Sequence, residues 1–150
     1  MGYMKSILDE NIREELITRI KRLDENSTAL WGTMNVYQML RHCVLCEELY
    51  LGITRHKRSF RGRIFGKKAL ISLLNEDAPF PKNAPTSDAF KVKELNGDVD
   101  AEKEKWIRLI KEYGSYSTGF KHWFFGKMTR EQLGYFVYKH NDHHLRQFNV

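Results

Sequence analysis

The sequence predicts an all-α chain, a four-helix bundle with a long irregular middle segment. Three observations predict it. Four segments of roughly 15–20 residues repeat apolar side chains at helical spacing. Two of them open on capping-box sequences, Asn35-x-x-Gln38 and Thr129-x-x-Gln132. Strand-like alternation is confined to fragments such as FKVKEL, and nothing repeats internally. With 150 residues, 41% of them apolar and 13% aromatic, the chain suits one folded domain over residues 1–150 rather than a disordered segment.

The first helix is expected from about Leu8 to Leu23. Ile12, Leu16, Ile20 and Leu23 line one face, charges occupy the other, and Ser6 with Asp9 supplies a capping pair. The second runs from about Val36 to Ile53 behind Asn35. Its inward stripe is Met39, His42, Cys43, Cys46, Leu49 and Tyr50, and Arg41, Glu48 and Arg55 mark the wet side. A shorter helix covers roughly Gly62 to Leu74. The stretch NEDAPFPKNAPTSDAF follows with all three prolines, and Phe80 and Phe90 can pin it to the body as a rim or lid. The third main helix begins near Asp98–Asp100 and ends near Tyr113–Gly114, with Gly114 as its stop and Trp106, Ile110 and Tyr113 as its apolar side. The last starts at Thr129 and runs to residue 150. Its core stripe is Leu133, Phe136, Val137, His140, His144 and Phe148 or Gln147.

The net charge of +6 is unevenly distributed. Residues 55–68, RHKRSFRGRIFGKK, hold seven Lys/Arg and no acid. A local anion site on Arg58, Arg61, Arg63, Lys67 and Lys68 fits that clustering better than a nucleic-acid-binding surface, and a solvated basic face is the plain alternative. No helix-turn-helix, zinc-finger or RNA-binding signature is present, so nucleic acid is not an expected partner. No apolar run reaches the length of a membrane span and no signal peptide opens the chain, so a cytoplasmic protein without membrane contact is expected. Cys43 and Cys46 are then expected as buried thiols. One CxxC inside a helix makes neither a zinc ribbon nor a haem attachment.

Three of the six histidines crowd the last helix. His140 and His144 are four residues apart, so their rings rise from one face a turn apart. Two imidazoles at that spacing can converge on one ion, although the Glu of a protease H-E-x-x-H motif is missing. A third ligand should come from a facing helix, and His42 is the candidate. His143, about 60° off the direction of His140, could replace His144 or stand behind it. Asp142 and Gln147 could orient ligand rings. Cys46, one turn after His42, could border the pocket, and Glu47 is a candidate for a base. The competing reading is a set of core histidines hydrogen-bonded within a helix end.

Three stretches, WGTMNVYQMLRHC, PFPKNAPTSDAF and FGKMTREQLGYFVYKHNDHHLRQF, together resemble the DinB/YfiT-like metalloenzyme superfamily, in a branch known only as a domain of unknown function. The resemblance implies a DinB-like four-helix bundle holding a divalent metal on three histidines. Those positions fall on His42, His140 and His144. The resemblance carries His122 over as a pocket residue, although the family's His-Pro before Phe-Phe-Gly is His122-Trp123 here. Wider relatives include metal-dependent hydrolases and enzymes using a low-molecular-weight thiol such as bacillithiol or mycothiol.

A metal on three imidazoles could activate water for hydrolysis or deprotonate a thiol for transfer. Zn, Ni, Fe or Mn would suit, with a small-molecule substrate, and the basic stretch could hold an anionic thiol. The rival class is a non-catalytic metal-binding or stress-response interaction protein. A homodimer through an exposed helix face is compatible with either.

Overall fold

The computed structural model describes residues 4–75 and 79–150; residues 76–78 of the proline-bearing stretch lie outside the described residues. The described residues are mostly helical: α1 (Glu10–Lys21), α2 (Val36–Tyr50), α3 (Phe60–Leu73), α4 (Val99–Glu112) and α5 (Arg130–Gln147). No helix is long and apolar enough to cross a membrane, among the described residues.

Local chemistry sets most helix starts. Asn35 and Thr129 each accept from the backbone N–H three residues on, and Gln38 and Gln132 return the bond, so both capping boxes form. Ser59 caps α3 through Gly62 N–H and Asp98 caps α4 through Ala101 N–H. The expected pairing of Ser6 with Asp9 differs. Asp9 is itself the N-cap of α1, and the Ser6 hydroxyl accepts from Leu8 N–H. At the far end α5 stops at Gln147 rather than at residue 150. Asn149 turns left-handed at φ 61°, and the Asn149 and Val150 amides bond back to Arg146 and Leu145. This is a Schellman closure. Likewise α2 stops at Tyr50, with Gly52 at φ 76° just beyond it. Gly114 does not stop α4 in the expected way. It sits inside a single 3₁₀ turn over Tyr113–Ser115.

An all-α reading needs one correction. Phe120–His122 (β1) and Gly126–Met128 (β2) form a small antiparallel hairpin, in register His122 with Gly126 and Phe120 with Met128. Strands of three residues are too short to show a two-residue period, and Gly126, after the turn residues Trp123–Phe125, carries the positive φ of 85° that the turn needs. The FKVKEL stretch, which looked strand-like, has no strand; Phe90 closes a 3₁₀ turn there and is buried.

Packing follows the predicted stripes. Leu16, Ile20 and Leu23 are buried, as are Met39, Cys43, Cys46, Leu49 and Tyr50. So are Trp106, Ile110 and Tyr113, and the whole α5 stripe. α2 packs most extensively on α4, and both α1 and α2 also touch α5. The wet side of α2 proves to be a charged seam beside α4. Arg41 stands 3.5 Å from Glu102, and Glu48 stands 2.6 Å from Lys105. α3 packs instead against the hairpin. A Cβ on Gly66 would fall 2.0 Å from the Phe124 carbonyl oxygen, so only glycine permits that approach.

A polar network links α2, α4 and α5 inside the core. Glu47 accepts from the Tyr113 hydroxyl and, at 2.7 Å, from the Asn141 amide. Trp106 Nε1 donates to Asn141 Oδ1 at 3.1 Å. Asn141 also donates to the Val137 carbonyl. Burial pushes the Glu47 carboxyl up to about 7, against the three donors that favour its charged form.

Two outcomes follow from this packing. Gly66→Ala gains about 1 kcal/mol of helix propensity. It loses more to the clash with Phe124, for a net loss of roughly 1–2 kcal/mol in urea unfolding. The second concerns Glu47. The native carboxyl keeps its proton up to about 7, while an unfolded one releases it near 4.5. Between those values the native state binds more protons, so raising pH through that window lowers stability by up to roughly 3 kcal/mol. Denaturation midpoints of Glu47→Gln across the same window should lack that decline.

Candidate metal centre

His42 and Cys46 lie on one face of α2, and His140 and His144 lie on the facing side of α5. The tertiary fold brings the three histidines together although 98 residues separate His42 from His140. One ring nitrogen of each lies within 4.8 Å of the others, and all three residues are buried. Ring centroids are 5.5 Å apart for His42 and His140, 4.9 Å for His42 and His144, and 4.7 Å for His140 and His144.

Hydrogen bonds decide which nitrogens face inward. His42 Nδ1 lies 2.8 Å from the Phe90 carbonyl. A carbonyl only accepts, so Nδ1 carries the proton and Nε2 keeps its lone pair. The same logic holds at His144, whose Nδ1 lies 2.9 Å from Gln147 Oε1. The Gln147 amide is oriented by its other end, where Nε2 donates to the Trp31 carbonyl at 2.9 Å. Ligand histidines of metal sites are held by such carbonyl partners. His140 differs: its Nδ1 is buried and has no hydrogen-bond partner among the described residues. An imidazole nitrogen left without a partner in an apolar core is costly.

Burial disfavours the charged form of all three rings. It holds His144 at about 3, with the neighbouring imidazoles adding to the effect, and His140 well below its ordinary range. His42 is lowered by burial as well. Neutral imidazole is the ligand form. Nitrogens around a tetrahedral ion at 2.0–2.1 Å stand about 3.4 Å apart, so small χ rotations would close this set on one. The three histidines therefore fit a divalent metal ion.

The other sequence candidates divide. Gln147 Oε1 accepts from His144 Nδ1 and so orients that ring. Cys46 borders the cluster, its Sγ 3.7 Å from His42 Nε2, with burial pushing the thiol far up. Cys43 is also a free, buried thiol. His143 stands at the rim, half-buried, 5.1 Å from the His144 ring and 5.1 Å from Phe80. Asp142 turns away: it pairs with Arg19 at 2.8 Å and Arg146 at 2.9 Å, so it fastens α1 to α5 and orients no imidazole. Glu47, the candidate base, is tied into the Tyr113–Asn141 network. His122 is separated from the cluster by shared aromatic neighbours, Tyr50 and Phe136. Its Nδ1 accepts the Phe124 and Phe125 amides and so organises the hairpin turn.

The basic residues do not form an anion cradle at the histidines. Arg58 donates to the Gly62 carbonyl and lies over Gly126. Arg61, Arg63, Lys67 and Lys68 are exposed on α3. Sequence reasoning missed several site contacts. Trp31 packs on His143 and carries Lys82 over its ring at 4.3 Å. Phe80, already expected to pin the proline-bearing stretch to the body, covers His140 and His143. The Phe90 and Trp31 carbonyls, being main-chain groups, leave no signal in side-chain spacing.

No curated protein and no solved structure matches this chain. Residues 5–150 match the family model described as "Protein of unknown function (DUF1569)", and the chain therefore belongs to the DUF1569 family.

Proposed function

We propose that this is a divalent-metal-dependent enzyme of the DinB/YfiT-like superfamily, built on a DinB-like bundle of α1, α2, α4 and α5. His42, His140 and His144 are its ligands. One observation carries the reading. Two imidazoles have their tautomers fixed by carbonyl oxygens behind them, and their rings meet a third whose buried Nδ1 has no hydrogen-bond partner among the described residues. Zn, Ni, Fe or Mn would each suit three neutral imidazoles. The ion would supply Lewis acidity toward a water or a small thiol, which corresponds to a hydrolase or a thiol-dependent transferase acting on a small molecule.

The chain's own residues would do the rest. His42 and His144 are held in one tautomer by Phe90 and Gln147. Phe80, Trp31 and His143 form a rim that excludes water from one side, and His143 is the titratable group placed to take a proton there. The thiol branch rests on the resemblance alone, since the basic side chains stand elsewhere.

A non-catalytic metal-binding role is favoured by one observation. The nearest acids in sequence, Glu47 and Asp142, are both committed to other partners. Turnover screening of the metal-loaded protein, with and without small thiols, separates the two. Silence throughout, with metal bound, selects the binding protein.

Metal analysis of protein purified without a histidine tag tests the centre itself. The wild type should hold about one equivalent, and His42→Ala and His140→Ala should lose it. Equal metal in the variants would end the proposal. Gln147→Ala should weaken metal affinity by roughly 10–100-fold by freeing the His144 ring. Asp142→Asn should leave metal content unchanged.

A further inference from the structure

We propose that α3 is a docking face for an anionic lipid surface, lying in the plane of the headgroups. The proposal is independent of the metal centre. α3 packs its Gly62, Gly66 and Leu70 face inward and leaves large apolar side chains outside. Phe60 is 77% exposed, Ile71 63%, Phe65 59% and Ile64 58%. At 100° per residue, Phe60, Ile64 and Ile71 fall within about 40° of one another, and Gly62 lies diametrically opposite. The outermost line of the helix is therefore apolar. Arg61 and Lys68 flank that line on one side, and Arg63 and Lys67 on the other. An apolar ridge between two basic borders is the pattern of a helix that seats in a lipid interface.

Charge selects the occupant. Residues 49–75 contain no acid, so a second copy of α3 laid on the first would oppose cation to cation. An anionic surface meets both borders at once. Helix stability does not explain the cations either. Arg61 and Arg63 stand in the first turn of α3, where the helix dipole disfavours positive charge and where no acid is present. The hairpin that supports α3 adds Lys121 directly opposite Lys127, both exposed. A like-charged cross-strand pair is itself unfavourable without an anionic partner. Peripheral docking needs no spanning helix, so it revises the sequence expectation of no membrane contact without contradicting its ground.

Sedimentation of the full chain with vesicles tests the proposal. The wild type should bind vesicles of equal parts phosphatidylcholine and phosphatidylglycerol, and not vesicles of phosphatidylcholine alone. Binding should fall as salt rises. The triple variant Phe60→Ser, Ile64→Ser, Ile71→Ser should weaken binding at least roughly tenfold. The double variant Arg61→Glu, Lys68→Glu should weaken it at least roughly a hundredfold. All five positions are exposed, and circular dichroism should show unchanged helicity. Three results would overturn the proposal. One is no binding of the wild type to the mixed vesicles. Another is vesicle binding that both variants retain in full. The third is vesicle-free association, with a DNA duplex or between copies of the chain, that the same variants abolish while the wild type ignores vesicles.

Discussion

Three imidazoles buried side by side at the meeting of α2 and α5 constrain much of the structure around them. In an apolar core each ring must be neutral, and each N–H needs an acceptor. Helices cannot supply those acceptors, because their own carbonyls are already bonded. They come instead from irregular backbone and a helix end: the Phe90 carbonyl, and Gln147, itself held by the Trp31 carbonyl. The segments on either side of α2 are thus drawn onto the same site. The proline-bearing stretch carries Phe80 over His140 and His143, and Phe90 beneath His42.

The rest of the core keeps that meeting point in register. Glu47, Tyr113, Trp106 and Asn141 cross-link α2, α4 and α5 through buried hydrogen bonds. Each of these groups would be costly to leave unpaired, so the network favours one relative placement of the helices. On the other side Arg19 grips Asp142 and the Val150 carbonyl together, tying α1 to the end of α5. His144 and Gln147 lie between those two anchors. The closing turn at Asn149 is therefore part of what steadies the site.

α3 obeys a different constraint. Its glycines let it press against the hairpin backbone, and Lys139 from α5 donates to the Leu73 carbonyl at its end at 2.8 Å and to the Asn75 carbonyl just beyond it at 2.7 Å. This seating uses one narrow face. What remains outside is both strongly basic and strongly apolar, a combination that neither core packing nor simple solvation favours. The charge that dominates the composition is thereby separated from the histidines, and the two features answer to separate physical demands.

Much of the helical framework was legible in the sequence, because helical period and capping chemistry are local. Asn35, Thr129 and the stripes of α2, α4 and α5 read directly. The phase of α5 turned His140 and His144 inward and left His143 to the side, and the stripe of α2 supplied His42. The hairpin escaped notice, since three-residue strands are too short to show a period. Extents that depend on closing turns, as after Tyr50 and Gln147, also shifted. Asp142 and Glu47 were plausible neighbours by spacing, but spacing does not say which way a polar group finds its partner. Arg19, Tyr113 and Asn141 claimed them across the fold. By itself the sequence determined which side chains share a helix face. Only the tertiary structure decided which carbonyl fixes each ring, which acids are spent elsewhere, and that the basic stretch faces out, because those pairings join atoms far apart in the chain.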